Sequence, residues 1–87
     1  MSEDLNAKFL QAKDDVVKLS KAPENDVKLK LYAMFKQATE GDNTSEPPSN
    51  PFDFVSRAKY EAWAGLKGKT QQDAMREYVE LINKLKG

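Results

Sequence analysis

Tyr32, Phe35 and Lys36 lie within five positions of one another, and Lys59 and Trp63 stand four apart further along the chain. At helical spacing Tyr32 and Lys36 share one face with Phe35 beside them, so a phenol, an aromatic ring and an ammonium are presented together. That set suits an aromatic, phosphate-bearing ligand. The ring stacks on a base, the ammonium makes a charge-assisted bond to a phosphate oxygen, and the phenol adds a neutral donor. Leu31, Met34 and Ala38 fall on a different face of the same segment, which leaves them for a core. Taken singly, Tyr32 and Phe35 read as packing aromatics, Lys36 and Lys59 as solvated lysines, and Trp63 as a core residue. The chemistry therefore needs groups brought in from elsewhere in the chain.

Composition narrows what those groups can be. With 87 residues the chain is expected to form one domain over its whole length, 1–87, with a modest buried fraction. It has no cysteine and no histidine, which excludes disulfides, Cys/His metal sites, a histidine base and a cysteine nucleophile. Lys plus Arg and Asp plus Glu are 14 each, so no global field draws the protein to nucleic acid or to a membrane surface, and an anion must be met by a local cluster. The opening Met-Ser-Glu-Asp has neither a basic region nor an apolar run, and no segment approaches the roughly 20 apolar residues of a membrane span. The cytoplasm is the expected location.

The elements follow from apolar periodicity. Leu5, Phe9, Ala12, Val16 and Leu19 keep one helical face, with Ser2 placed to cap the segment and Glu3 and Asp4 where the helix dipole favours acids. Ser20-Lys21-Ala22-Pro23 breaks the pattern, and a second helix is expected from Pro23 to Asn25 up to Gly41, which suits the left-handed position after a helix. The proline-rich stretch from Asp42 to Pro51 forbids a helix and reads as a surface crossover, closed by Phe52 and Phe54, which are expected to pin it to the core. From about Phe54 a third helix carries Val55, Ala58, Ala62 and Leu66 on one face and Lys59 and Trp63 on the next, with Gly65 and Gly68 marking its end. Thr70-Gln71-Gln72-Asp73 is a capping pattern for a fourth helix with Met75, Val79 and Ile82 on one stripe and Tyr78, Leu81 and Leu85 on a second. No strand pattern and no repeat is present, and the fold class is all-α, a four-helix bundle. No further apolar stripe is left over for a subunit interface, so a monomer is expected.

The blocks Tyr32-Ala33-Met34-Phe35-Lys36-Gln37-Ala38-Thr39-Glu40-Gly41-Asp42, Ala58-Lys59-Tyr60-Glu61-Ala62-Trp63, Leu66-Lys67-Gly68 and Asp73-Ala74-Met75-Arg76-Glu77-Tyr78 together resemble the acyl-CoA-binding protein family. The similarity runs through nearly the whole chain in one order, with a difference of about one residue in the proline loop. It implies an up-down-down-up bundle that binds medium- to long-chain fatty acyl-CoA thioesters as an intracellular carrier and buffer pool without turning them over. No cofactor is implied, since acyl-CoA is the ligand, and acyl-CoA-using enzymes, met transiently, are the candidate protein partners.

By the same resemblance, Tyr32, Phe35, Lys36, Lys59 and Tyr78 surround the adenosine 3'-phosphate and the adenine. The acyl chain is implied to lie along a border of the first and second helices that includes Phe9, Ala12 and Leu29. Two lysines on one phosphate are worth about 1.5 to 3 kcal/mol each. Burying a sixteen-carbon tail at ~0.8 kcal/mol per methylene supplies on the order of 10 kcal/mol before ordering costs. The chain departs from the family pattern at several positions. Phe35 stands where many members carry tyrosine, and Tyr60 replaces a usual tryptophan. A basic residue often found in the first helix aligns with Val17, with Lys13 and Lys18 each within about a turn of it. Lys13 itself stands where a small residue near the acyl path is common.

Two other function classes are distinguishable. A helical protein-protein interaction module would use the same grooves for a partner helix, but has no need for Lys36 and Lys59 to converge. An enzyme such as a thioesterase would need a placed pair of acids, and no motif in the sequence places one.

Overall fold

A computed structural model describes residues 2–87, with side chains from Asp4 onward; the expected Ser2 cap and the Glu3 side chain lie outside the described ones. Four helices form: α1 Ser2–Val17, α2 Asn25–Glu40, α3 Phe54–Ala64 and α4 Gln71–Lys86. The ends obey local chemistry. Thr70 Oγ1 accepts from Asp73 N at 3.0 Å and starts α4, and the Asp53 side chain accepts from Ser56 N at 3.1 Å and starts α3. Gly41 ends α2 at φ +83°, a backbone conformation that side chains other than glycine's rarely adopt. Leu19 lies beyond the end of α1, so the first apolar series is one member shorter as helix than its spacing implied. Replacing Thr70 by alanine leaves the Asp73 amide without its cap and is expected to cost about 1 kcal/mol, read as a lower urea midpoint at unchanged slope.

Cross-helix contacts fix the topology. Phe9 meets Tyr78 and Asp15 pairs with Lys86, so α1 and α4 run the same way. Gln71 Nε2 donates to Ala38 O at 3.2 Å, whereas Lys30 and Lys84 line one groove at the other end, so α2 runs against α4. Lys59 lies over Tyr32 and Trp63 Nε1 donates to Gly41 O at 2.9 Å, which makes α2 and α3 parallel. The result is the up-down-down-up bundle, with α2 and α4 central, α1 packed on α4 and α3 on α2. No helix among the described residues is long and apolar enough to cross a membrane.

The core gathers Phe9, Ala12, Leu31, Ala38, Ala74, Tyr78 and Ile82. In α4 the deepest line is Ala74, Tyr78 and Ile82, each four residues from the next, which takes one member from each of the two expected stripes. The crossover corrects the sequence reading. Phe52 and Phe54 are 79% and 70% exposed and do not pin the loop, and Val55 is 65% exposed rather than on a core face. The loop is held instead by polar contacts and by Trp63. Asn43 Nδ2 donates to Tyr60 O at 3.4 Å, and Asp42 Oδ1 accepts from Gly68 N and from Gln37 Nε2, each at 2.9 Å. These bonds hold the Asp42 carboxyl below the usual carboxylate range, the Gly68 amide first and the Gln37 amide second. Gln37, fully buried, also donates to Lys69 O at 2.8 Å, so one side chain ties the end of α2 to the turn before α4. Both of its donors face acceptors, which fixes the orientation of the amide and leaves Oε1 as a buried acceptor without a protein partner.

Candidate functional site

The α2 face that carries Tyr32, Phe35 and Lys36 meets a different neighbour at each residue. In a helix Tyr32 lies between Phe35 and Lys36 in azimuth, so the three fan outward from one stripe. Toward α3, Lys36 extends over the Trp63 ring, its Nζ 4.9 Å from the centroid, and pairs with Glu40 one turn on. The hydrogen bond that Lys36 donates to the Glu40 carboxylate raises the ammonium above its ordinary value, against the smaller opposing effect of burial, so Lys36 stays charged throughout the neutral range. Lys59 crosses from α3 and places Nζ 5.3 Å from the Tyr32 centroid. The two ammoniums chosen from the sequence thus stand on the same flank of one stripe, α3 supplying one of them and a ring for the other. Trp63, read from the sequence as core, is buried at 7% exposure and also forms the surface on which Lys36 rests.

Phe35 turns the other way. Its ring stacks on Phe9 of α1 at 5.8 Å and lies 6.4 Å from Tyr78 of α4, while Phe9 and Tyr78 meet edge to face at 5.1 Å. Tyr78, 4% exposed, backs Phe35 rather than standing on the open ridge, and burial pushes its phenol above the ordinary value, keeping it protonated. Lys13, one turn after Phe9 on α1, brings its Nζ to 5.0 Å from the Phe35 centroid. Val17, which by the resemblance stands where a basic residue is often found, is an apolar side chain 80% exposed.

Two depressions meet at Tyr32 and Lys59. On one side a groove of about 380 Å³ between α2 and α3 is lined by Leu29, Tyr32, Phe54, Val55, Ala58 and Lys59, with Asn25 and Lys28 at its rim. On the other a smaller hollow of about 220 Å³ is lined by Tyr32, Lys59, Tyr60 and Trp63 with Ser45 and Pro48 of the crossover. The pair Tyr32 and Lys59 is thus a ridge with a largely apolar trough on one side and a mixed polar hollow on the other.

Phe9, Ala12 and Leu29 are not brought into one groove. Phe9 is packed beneath Phe35, Ala12 is buried against α4 where it borders a separate groove with Leu5 and Val79, and only Leu29 lines the trough beside Tyr32. Of the trough residues, Val55 and Ala58 were legible only as part of an apolar run at helical spacing, which is equally the pattern of a core face, and Phe54 only as an anchor for the loop.

Residues 6–82 match the family model described as Acyl CoA binding protein. Over 70 residues, 80% of this chain and 79% of that protein, the sequence is 49% identical to the acyl-CoA-binding protein of Saccharomyces cerevisiae. It is 46% identical over 77 residues to enoyl-CoA delta isomerase 2 of Rattus norvegicus, a match covering 88% of this chain and 19% of that protein. Among solved structures, acyl-CoA-binding protein 2 of Oryza sativa superposes with a TM-score of 0.86 at 32% identity, over 93% of this chain and 89% of that one. Helix order, the fan of residues on α2 and the sequence matches lead to one conclusion: the chain belongs to the acyl-CoA-binding protein family.

Proposed function

We propose that this protein binds medium- to long-chain fatty acyl-CoA thioesters and serves as a monomeric, non-catalytic cytoplasmic carrier and buffer pool for them. The observation that carries the reading is the shared ridge of Tyr32 and Lys59, with Lys36 beside it, between an apolar trough and a polar hollow. A ligand with a phosphorylated nucleotide at one end and a hydrocarbon tail at the other needs that juxtaposition. The phosphate draws on Lys36 and Lys59 with Tyr32 as a neutral donor, and Phe35, backed by Phe9 and Tyr78, offers an aromatic surface to the base. The tail takes the α2–α3 trough, with Leu29 and Ala58 as its floor and Phe54 and Val55 as its exposed wall. This route replaces the α1–α2 border, since Phe9 and Ala12 already spend their apolar surface inside the bundle. Family relatives named for acyl-CoA binding support the reading.

Calorimetry on the full chain tests it with palmitoyl-CoA, free CoA and free palmitate. The intact thioester is expected to bind at least about 100-fold more tightly than either part, because the trough and the cationic ridge then act on one molecule. Equal affinity for palmitoyl-CoA and either fragment overturns the reading. The exposed Phe52, Phe54 and Val55 favour one alternative, a module that seats an apolar partner helix in the trough. In that case neutralising Lys36 and Lys59 together leaves partner binding intact.

A further inference from the structure

Three ammonium groups, each from a different helix, rest over aromatic rings, two of them (Tyr32 and Phe35) on one stripe of α2 and the third (Trp63) on α3. Lys59 of α3 lies over Tyr32 and Lys36 of α2 over Trp63, both on the α3 flank. Lys13 of α1 lies over Phe35 on the opposite flank, where that ring also meets Phe9 and Tyr78. The two cations of the α3 flank suffice for a single phosphate. A third, on the far side of Tyr32, has no role in such a site.

We propose that Lys13 is a ligand-binding cation that takes a second anionic group of the same molecule, the diphosphate bridge, while Lys36 and Lys59 hold the terminal ribose phosphate. The proposal rests on the acyl-CoA reading above and adds to it a requirement for two separated phosphate groupings. Phe9 and Lys13 are four residues apart on α1, so the helix that buries Phe9 against Phe35 also delivers the ammonium to that ring. No carboxylate lies within ion-pair distance of Lys13 among the described residues, and neighbouring Asp15 is engaged by Lys86 at 3.1 Å and Gln11 at 3.0 Å. An ammonium over a half-buried ring such as Phe35 is held more weakly than one bonded to a phosphate oxygen. An arriving diphosphate therefore draws Lys13 off Phe35 and, by the same movement, uncovers aromatic surface for the base. Val17, one turn further on, supplies no charge and is 80% exposed, which leaves Lys13 as the cation that α1 places against a site ring.

Lys13→Met keeps the apolar stem and removes the charge at an exposed position, so the fold is not at risk. Calorimetry compares it with the wild type on palmitoyl-CoA and on 3'-dephospho-palmitoyl-CoA. The expected result is an affinity loss of about 10-fold on both ligands, with a shallower salt dependence, and recovery in Lys13→Arg. Wild-type affinity of Lys13→Met for both ligands overturns the proposal, as does a loss that disappears with the dephospho analogue, which would put Lys13 on the ribose phosphate. A loss that appears in Lys18→Met in place of Lys13→Met assigns the cation wrongly and also overturns it. These outcomes leave the acyl-CoA reading standing, whereas failure of the wild type to bind palmitoyl-CoA removes both.

Discussion

Replacing Lys36 and Lys59 together by methionine is expected to lower the affinity for palmitoyl-CoA by roughly 10²- to 10⁴-fold. Each charge-assisted bond to a phosphate oxygen contributes about 1.5 to 3 kcal/mol, and every 1.4 kcal/mol is tenfold. The two losses add only if the two lysines act on the ligand independently, and their convergence on one stripe from two helices predicts coupling. The single variants should therefore not simply sum to the double. Lys59 should be the more costly of the two. Lys36 already has the Glu40 carboxylate, so a phosphate exchanges one anionic partner for another, whereas Lys59 gives up a ring.

The same double variant separates the two ends of the ligand. Lys59 lines the trough, and methionine keeps most of its apolar stem while removing the charge, so the gain in affinity per added methylene, ~0.8 kcal/mol at most, should persist while the whole series shifts to weaker binding. Calorimetry over a set of acyl chain lengths reads both quantities. A change in the slope rather than the offset would mean that the lysine stems wall the tail, and a variant as tight as wild type would remove the cationic ridge from the binding mechanism.

The proposed head-group ridge was legible in the sequence only in part: spacing within helices paired residues on shared faces, while the family resemblance, not spacing, joined those pairs into one candidate site. Tyr32 and Lys36, four apart, had to share a face, and Lys59 and Trp63, four apart, had to face one neighbour together; their meeting follows once α2 and α3 run parallel. The trough proposed for the tail was not legible. Val55 and Ala58 have the spacing of a core stripe, and nothing local distinguishes an apolar face that a neighbour covers from one that is left open. The difference is made by the crossover, which is tethered through Asn43 and Asp42 rather than through Phe52 and Phe54, and which lies against the Ser56–Tyr60 side of α3 while leaving Phe54 and Val55 uncovered. Gln37 was missed for the complementary reason. A glutamine in a helix reads as surface, and its burial follows from two acceptors, Asp42 Oδ1 and Lys69 O, that only the assembled bundle brings to it.

Trp63→Ala is expected to destabilise the fold by about 3–5 kcal/mol, a large share of the ~5–15 kcal/mol that a small domain commands. The indole packs α3 against α2 at 7% exposure, its Nε1 donates to Gly41 O at 2.9 Å where α2 ends, and its ring lies under the Lys36 ammonium. Truncation opens a cavity at the helix interface, leaves the Gly41 carbonyl without that donor and frees Lys36 to follow Glu40 alone. Trp63→Phe restores most of the packing but not the N–H, so it should fall between wild type and alanine, nearer wild type. Because Trp63 is the only tryptophan, urea unfolding must be followed by circular dichroism rather than by fluorescence. Equal losses in the two variants would mean that the bond to Gly41, not burial of the ring, holds α3 in place. A loss below about 1 kcal/mol in Trp63→Ala would show that the α2–α3 contact is sustained without it, and that the wall on which Lys36 rests is not set by this residue.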